Sequence, residues 1–165
     1  MDNQQTTDIR WKQRFQNFRR AFGLLREALE DKNLDEYSDL EREGIVQRFE
    51  YTVELTWKTF KDYLEFSNVP LTEATPRKVI KECAATNIFG EAGIVPEVFM
   101  EMMLERNALS HTYDFERFHQ AVVRIKEQYL VVPEQAFWVY KTRIATFFFC
   151  VTICNAIFRN KTDVF

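Results

Sequence analysis

The sequence predicts an all-α protein, an antiparallel up-and-down bundle of four or five helices. Three observations carry that prediction. The 165 residues contain only four Gly and four Pro. Average usage would give about 20 of the two together, so the turns of a β-sandwich or barrel are not supplied. Apolar residues recur at steps of three and four over long stretches, the period of a helix with one buried face. Capping residues stand ahead of several of these stretches, which marks helix starts as well as helix faces.

The first helix is expected to start near Asp8, an acceptable N-cap. Trp11, Phe15, Phe18, Phe22, Leu25 and Leu29 make its apolar stripe. Arg10, Lys12, Arg14, Arg19 and Arg20 fall off that stripe. They form either a solvated face or a surface for an acidic partner or RNA. Ser38 and Glu41 make a capping-box pattern for a second helix. Its main stripe is Val46, Phe49, Val53, Trp57, Phe60 and Leu64, and a second is Tyr51, Leu55, Tyr63 and Phe66. Two apolar faces imply burial on two sides. Running to Phe66, the helix would be about 42 Å long.

Thr75-Pro76 opens a third, short helix, with Thr as N-cap and Pro at the first helical position. It is expected to end by Ala85. The stretch from Thr86 to Val95, with Gly90 and Gly93, reads as a loop. Pro96 opens a fourth helix carrying Phe99, Met102, Met103 and Leu109. Asp114 caps a fifth, with Phe115, Phe118, Val122, Ile125 and Tyr129 as its stripe.

The net charge of −3 excludes a polybasic nucleic-acid or membrane binder, while leaving room for a local phosphate site. Three scattered cysteines, Cys83, Cys150 and Cys154, make no disulfide framework. The opening MDNQQTTDIRWKQ has no apolar signal region, so a reducing cytoplasm is the expected location. No P-loop, no GxGxxG and no nucleotidyltransferase signature is present. No cofactor and no metal is expected. His119 reads as a surface or partly packed residue, and the Met100, Met102, Met103 group as core or interface filler.

The stretch with the most chemistry runs Arg106-Asn107-Ala108-Leu109-Ser110-His111-Thr112-Tyr113-Asp114. It gathers a guanidinium, an amide, a hydroxyl, an imidazole and a phenol. On a continuous helix Arg106 and His111 stand about 140° apart, while Asn107 and His111 share a face. If the helix stops near Ser110, His111 and Tyr113 lie in the turn and can swing toward Arg106. Arginine supplies a permanent planar fork for phosphate, and histidine exchanges a proton near neutral pH. The pair suits attack of an RNA 2′-hydroxyl on its neighbouring phosphate without a metal, or simple retention of a nucleotide. The plainer alternative pairs Arg106 with Glu101 or Glu105 and uses His111 as a helix cap.

Four segments carry a resemblance: Arg10–Leu29, Arg42–Phe66, Thr75–Cys83 and Met103–Asp114. Together they resemble the nucleotidyltransferase substrate-binding protein family, a branch of the HEPN superfamily, in order over about Ile9 to Val131. The resemblance implies an antiparallel helical bundle, commonly a homodimer, working beside a minimal nucleotidyltransferase in a toxin–antitoxin-like pair. HEPN ribonucleases carry Arg, four to six residues, then His, often with a polar residue after the Arg. Arg106, Asn107 and His111 stand at those positions. In one HEPN toxin branch a Tyr two residues after the His receives AMP from the partner, and Tyr113 stands there. If RNA is cleaved, Arg106 would take the phosphate, His111 would act as general base or acid, and Asn107 would orient His111 or the ribose. Ser110 would support the cluster, and dimerisation would bring two such sets together. The expected function is a nucleotide- or RNA-binding subunit of such a system. The alternatives are a metal-independent endoribonuclease toxin and a non-catalytic helical interaction module.

The division expected is a helical domain over 1–132 and an atypical apolar extension over 133–165. From Ile144 to Phe158 the chain reads IATFFFCVTICNAIF, without a charge. This run is short for a bilayer span and is interrupted by Thr146, Thr152 and Asn155, so membrane partnership is not the expected role. It is read as an element packed on the bundle, a membrane-associating tail, or a non-native extension. Of the 16 Phe, Phe137, Phe147, Phe148, Phe149, Phe158 and Phe165 fall in this part.

Overall fold

A computed structural model describes residues 2–30, 32–110 and 115–143, with side chains from Arg10 onward except at position 115. Every regular element among them is helical: α1 (Asp2–Glu30), a 3₁₀ turn (Leu34–Glu36), α2 (Asp39–Phe66), α3 (Pro76–Ala85), α4 (Ile88–Ala92), α5 (Pro96–Leu109) and α6 (Phe115–Arg124). A π-helical turn over Ile125–Tyr129 follows α6, and α7 spans 131–143. The all-α bundle is therefore as the sequence predicts, with more helical pieces than five.

Two boundaries differ from expectation. The first helix begins at Asp2 rather than near Asp8. Nothing in Asn3 to Thr7 breaks a helix, since the segment has no Gly or Pro and two helix-tolerant Gln. The stretch after Ala85 is not all loop, because Ile88–Ala92 forms α4. Ile88 and Phe89 are buried there, and hydrophobic burial orders a turn that its glycines made look irregular. Gly93 closes α4 at φ 71°, a left-handed conformation that suits a residue without Cβ.

The starts of α2 and α3 follow their local signals. Ser38 caps α2, and Glu41 returns a bond to the Ser38 amide, completing the capping box. Thr75 caps α3 with Pro76 at its first position. The start of α2 and its end at Phe66 are as expected.

Helices α1 and α2 are the antiparallel spine. Residues early in α1 meet residues late in α2: Arg10 bonds Glu65, and Arg14 Nε lies 2.6 Å from Asp62 Oδ2. At the other end Arg48 donates to the Leu24 carbonyl across 2.8 Å. The basic face of α1 is thus partly committed to α2, while Arg19 and Arg20 stay exposed. The Tyr37 hydroxyl donates to the Ala28 carbonyl across 2.6 Å, tying down the connection.

The predicted main stripes are the core. Trp11, Phe15, Phe18, Phe22, Leu25 and Leu29 of α1 and Val46, Phe49, Val53, Trp57, Phe60 and Leu64 of α2 are all buried. The second α2 stripe is only half-buried at Leu55, Tyr63 and Phe66, and Tyr51 is exposed. Threonines are buried on α2 as well: Thr52, Thr56 and Thr59 each donate to a carbonyl four residues back at 2.7 Å. That local bond removes the cost of burying a hydroxyl. Val132, Ala136 and Tyr140 of α7 join the same core, so core residues stand on both sides of position 133. Met102 and Met103 are core, Met100 and His119 are half-buried, and Cys83 is buried and free. Cys150, Cys154 and the apolar run from Ile144 lie outside the described residues.

Candidate functional site

The carboxyl end of α5 faces the middle of α2, and the two helices build the site together. Helix α5 ends at Leu109, and Ser110 is its C-cap, its amide bonding the Arg106 carbonyl. The sequence left two arrangements open, an uninterrupted helix and one stopping near Ser110, and α5 is described to Leu109. Arg106, Asn107 and Ser110 are brought together. His111, Tyr113 and the proposed cap Asp114 lie outside the described residues.

Arg106 Nη1 donates to Asn107 Oδ1 across 3.0 Å. Its Nη2 lies 3.7 Å from Glu54 Oε2 on α2. Its Nε is buried and has no hydrogen-bond partner among the described residues. The plainer expectation for Arg106, a pair with Glu101 or Glu105 on its own helix, is replaced by this contact across helices. Glu105 is engaged elsewhere, by Arg124 Nη2 of α6 at 2.7 Å. The Ser110 hydroxyl lies 2.6 Å from Glu50 Oε1 and 3.0 Å from the Arg106 carbonyl, so it ties the end of α5 to α2.

Glu54 is the hinge of this arrangement. Lys58 Nζ lies 2.6 Å from its Oε1, and the Trp57 indole N–H donates to its Oε2 across 3.0 Å. Burial disfavours the charged carboxylate. The hydrogen bonds from Lys58 and Trp57 and the charges of Lys58 and Arg106 outweigh it, so the Glu54 pKa sits below the ordinary carboxylate value. Glu54 therefore remains an anion at neutral pH.

Sequence reasoning missed Glu50, Glu54 and Lys58. They lie about fifty residues before Arg106 and read as ordinary polar positions on α2. The one available signal was the spacing of Glu54 and Lys58, four apart on a helix, which also describes many solvent-exposed pairs.

Chemically, the cluster sets cations beside carboxylates at a helix end. It has a planar cation, an amide and a hydroxyl, and solvent reaches 32% of the Arg106 side chain. No group of three or more His, Cys, Asp or Glu suited to a metal occurs among the described residues.

A family model described as "Nucleotidyltransferase substrate binding protein like" matches residues 13–137. The chain belongs to this family. The match covers α2 to α6, most of α1 and the first half of α7, and so includes Arg106, Asn107, Ser110, Glu54 and Lys58. No curated protein matches the chain. The family description makes this helical protein a counterpart of a nucleotidyltransferase. Among the described residues no helix is long and apolar enough to cross a membrane.

Proposed function

We propose that the chain is the HEPN-type subunit of a two-component minimal nucleotidyltransferase system of toxin–antitoxin type, and that it holds a nucleotide or RNA phosphate at Arg106. Asn107 steadies the guanidinium, and Ser110 fixes the helix end. The protein works in the cytoplasm as a homodimer beside its nucleotidyltransferase partner. The observation that carries the reading is the state of Arg106: steered by Asn107, about one-third exposed, and 3.7 Å from Glu54, too far for a hydrogen bond. A guanidinium fully committed to a carboxylate would make two parallel short bonds, and this one does not. The test is binding of labelled AMP and of a short single-stranded RNA to the full chain and to Arg106→Ala. Loss of about tenfold or more in affinity is expected for one charge-assisted contact. Equal binding by the two proteins overturns the reading.

A second reading, a metal-independent endoribonuclease kept silent by the partner, is favoured by the end of α5 at Leu109. The helical step that would set Arg106 and His111 about 140° apart is established only as far as Leu109. In that reading Arg106 stabilises the phosphate, His111 moves the proton, and Asn107 orients His111 or the ribose. Tyr113 is then the candidate acceptor of AMP from the partner. The last alternative, an interaction module without chemistry, is what remains if no anion binds.

A further inference from the structure

Arg106 shares its carboxylate with a second cation. Glu54 offers Oε1 to Lys58 and Oε2 to Arg106. The two cations therefore flank one anionic group, although one belongs to α2 and the other to α5. The Trp57 indole N–H holds Oε2 in place, and Trp57 itself is buried, so the carboxylate is aimed by a fixed part of the core.

Counting donors shows what remains. An ammonium has three N–H groups, and the ion pair with Glu54 occupies one of those on Lys58. The Lys58 head also lies over the Trp57 ring, 5.6 Å from its centroid. The contact from Arg106 Nη2 to Glu54, at 3.7 Å, is too long for a hydrogen bond. Solvent reaches 38% of the Lys58 side chain. A lone glutamate–lysine pair four apart on a helix stabilises it only slightly. This pair differs because its carboxylate also faces a guanidinium from another helix.

We infer that Lys58 is the second cation of the phosphate site, and that Glu54 is the positioning residue that holds Lys58 and Arg106 toward one point until an anion arrives. The inference rests on the reading of Arg106 as a phosphate ligand. A phosphate spreads its charge over several oxygens, so it accepts from both cations at once. Glu50, one turn before Glu54, accepts from Ser110, so the charges of the cluster balance and the anion is drawn by short-range bonds from Lys58 and Arg106. Glu54 competes with that anion and sets the spacing of its two ligands.

Titration of inorganic phosphate into the full chain, followed by calorimetry, tests this. Lys58→Met is expected to weaken binding about tenfold, the loss of one charge-assisted contact, and Lys58→Arg to restore most of it. Glu54→Gln keeps an oxygen for the Trp57 N–H and removes the competing charge, so it is expected to tighten binding severalfold. A purely structural role would make Lys58→Met and Glu54→Gln weaken binding alike, and that result overturns the inference. Thermal unfolding of each variant confirms that the bundle is intact. If Arg106→Ala loses phosphate and Lys58→Met does not, the inference fails while the reading of Arg106 stands. If the unaltered chain binds no phosphate, both fail.

Discussion

The Tyr140 hydroxyl donates to the Thr56 carbonyl across 3.1 Å, joining α7 to the middle of α2. The ring beneath it is fully buried against Phe60, Phe15 and Phe18, at centroid distances of 4.8, 5.5 and 5.7 Å. Burial pushes the Tyr140 phenol well above its ordinary value, and the nearby Cys83, Asp62 and Tyr63 act in the same direction. The last described helix is therefore held to the spine by a buried bond as well as by packing.

Removing that hydroxyl tests the bond. Tyr140→Phe keeps the ring and is expected to lower stability by about 1 kcal/mol, the net worth of a typical internal hydrogen bond. Tyr140→Ala empties a core position and is expected to cost about 3–5 kcal/mol. Urea unfolding of both variants checks the ranking.

The same burial predicts weakness in alkali. The Tyr140 and Cys83 pKa values are both raised in the folded chain, Cys83 by burial first and then by the charge of Glu82. The unfolded chain releases these protons near the ordinary values of 9.0 and 10.0, while the folded chain still holds them. Stability is thus complete below that range and falls as pH rises through it and beyond. Thermal midpoints from pH 8 upward should decline, and Tyr140→Phe should decline less steeply than the unaltered chain.

Arg14 and Asp62 make another cross-helix link, at 2.6 Å, with the Asp62 side chain only 2% exposed. Arg14→Leu leaves that carboxylate buried. Arg10 at 3.7 Å and Lys61 at 3.8 Å remain to compensate. The expected loss is roughly 2 kcal/mol, below the 3–5 of a fully isolated buried pair. Denaturant midpoints measure it, and Asp62→Asn in the Arg14→Leu background should recover part of the loss.

At the start of α2, Lys32 and the amide and hydroxyl of Ser38 hold the Glu41 carboxyl down to about 2, the Lys32 hydrogen bond being the largest cause. A carboxyl depressed in the folded state contributes stability above its ordinary value of 4.5, and that contribution is lost as pH falls toward about 2. Ser38→Ala removes the cap and should cost about 1 kcal/mol. It should also raise the Glu41 midpoint, which carbon-detected NMR titration follows directly.

Cleavage separates the two functional readings. With RNA and a chelator present, the endoribonuclease reading expects cutting by the full chain and none by His111→Ala. Cutting at equal rates by both proteins removes His111 from the mechanism. Absence of cutting together with retained AMP binding leaves the substrate-binding reading.

What the sequence determined by itself was local. Helix faces at Trp11–Leu29 and Val46–Leu64, the Ser38–Glu41 box and the Thr75-Pro76 start depend on residues within one or two turns of each other. Their energetics follow from spacing alone. Tertiary structure decided the rest. Ile88 and Phe89 gain their helix only by entering the core. The partners of Arg14 and Tyr140 lie 48 and 84 residues away, and that of Arg106 lies on another helix. A charge or a hydroxyl finds its partner through the packing of whole helices. No periodicity in the chain records which glutamate will stand opposite a given arginine once those helices have met.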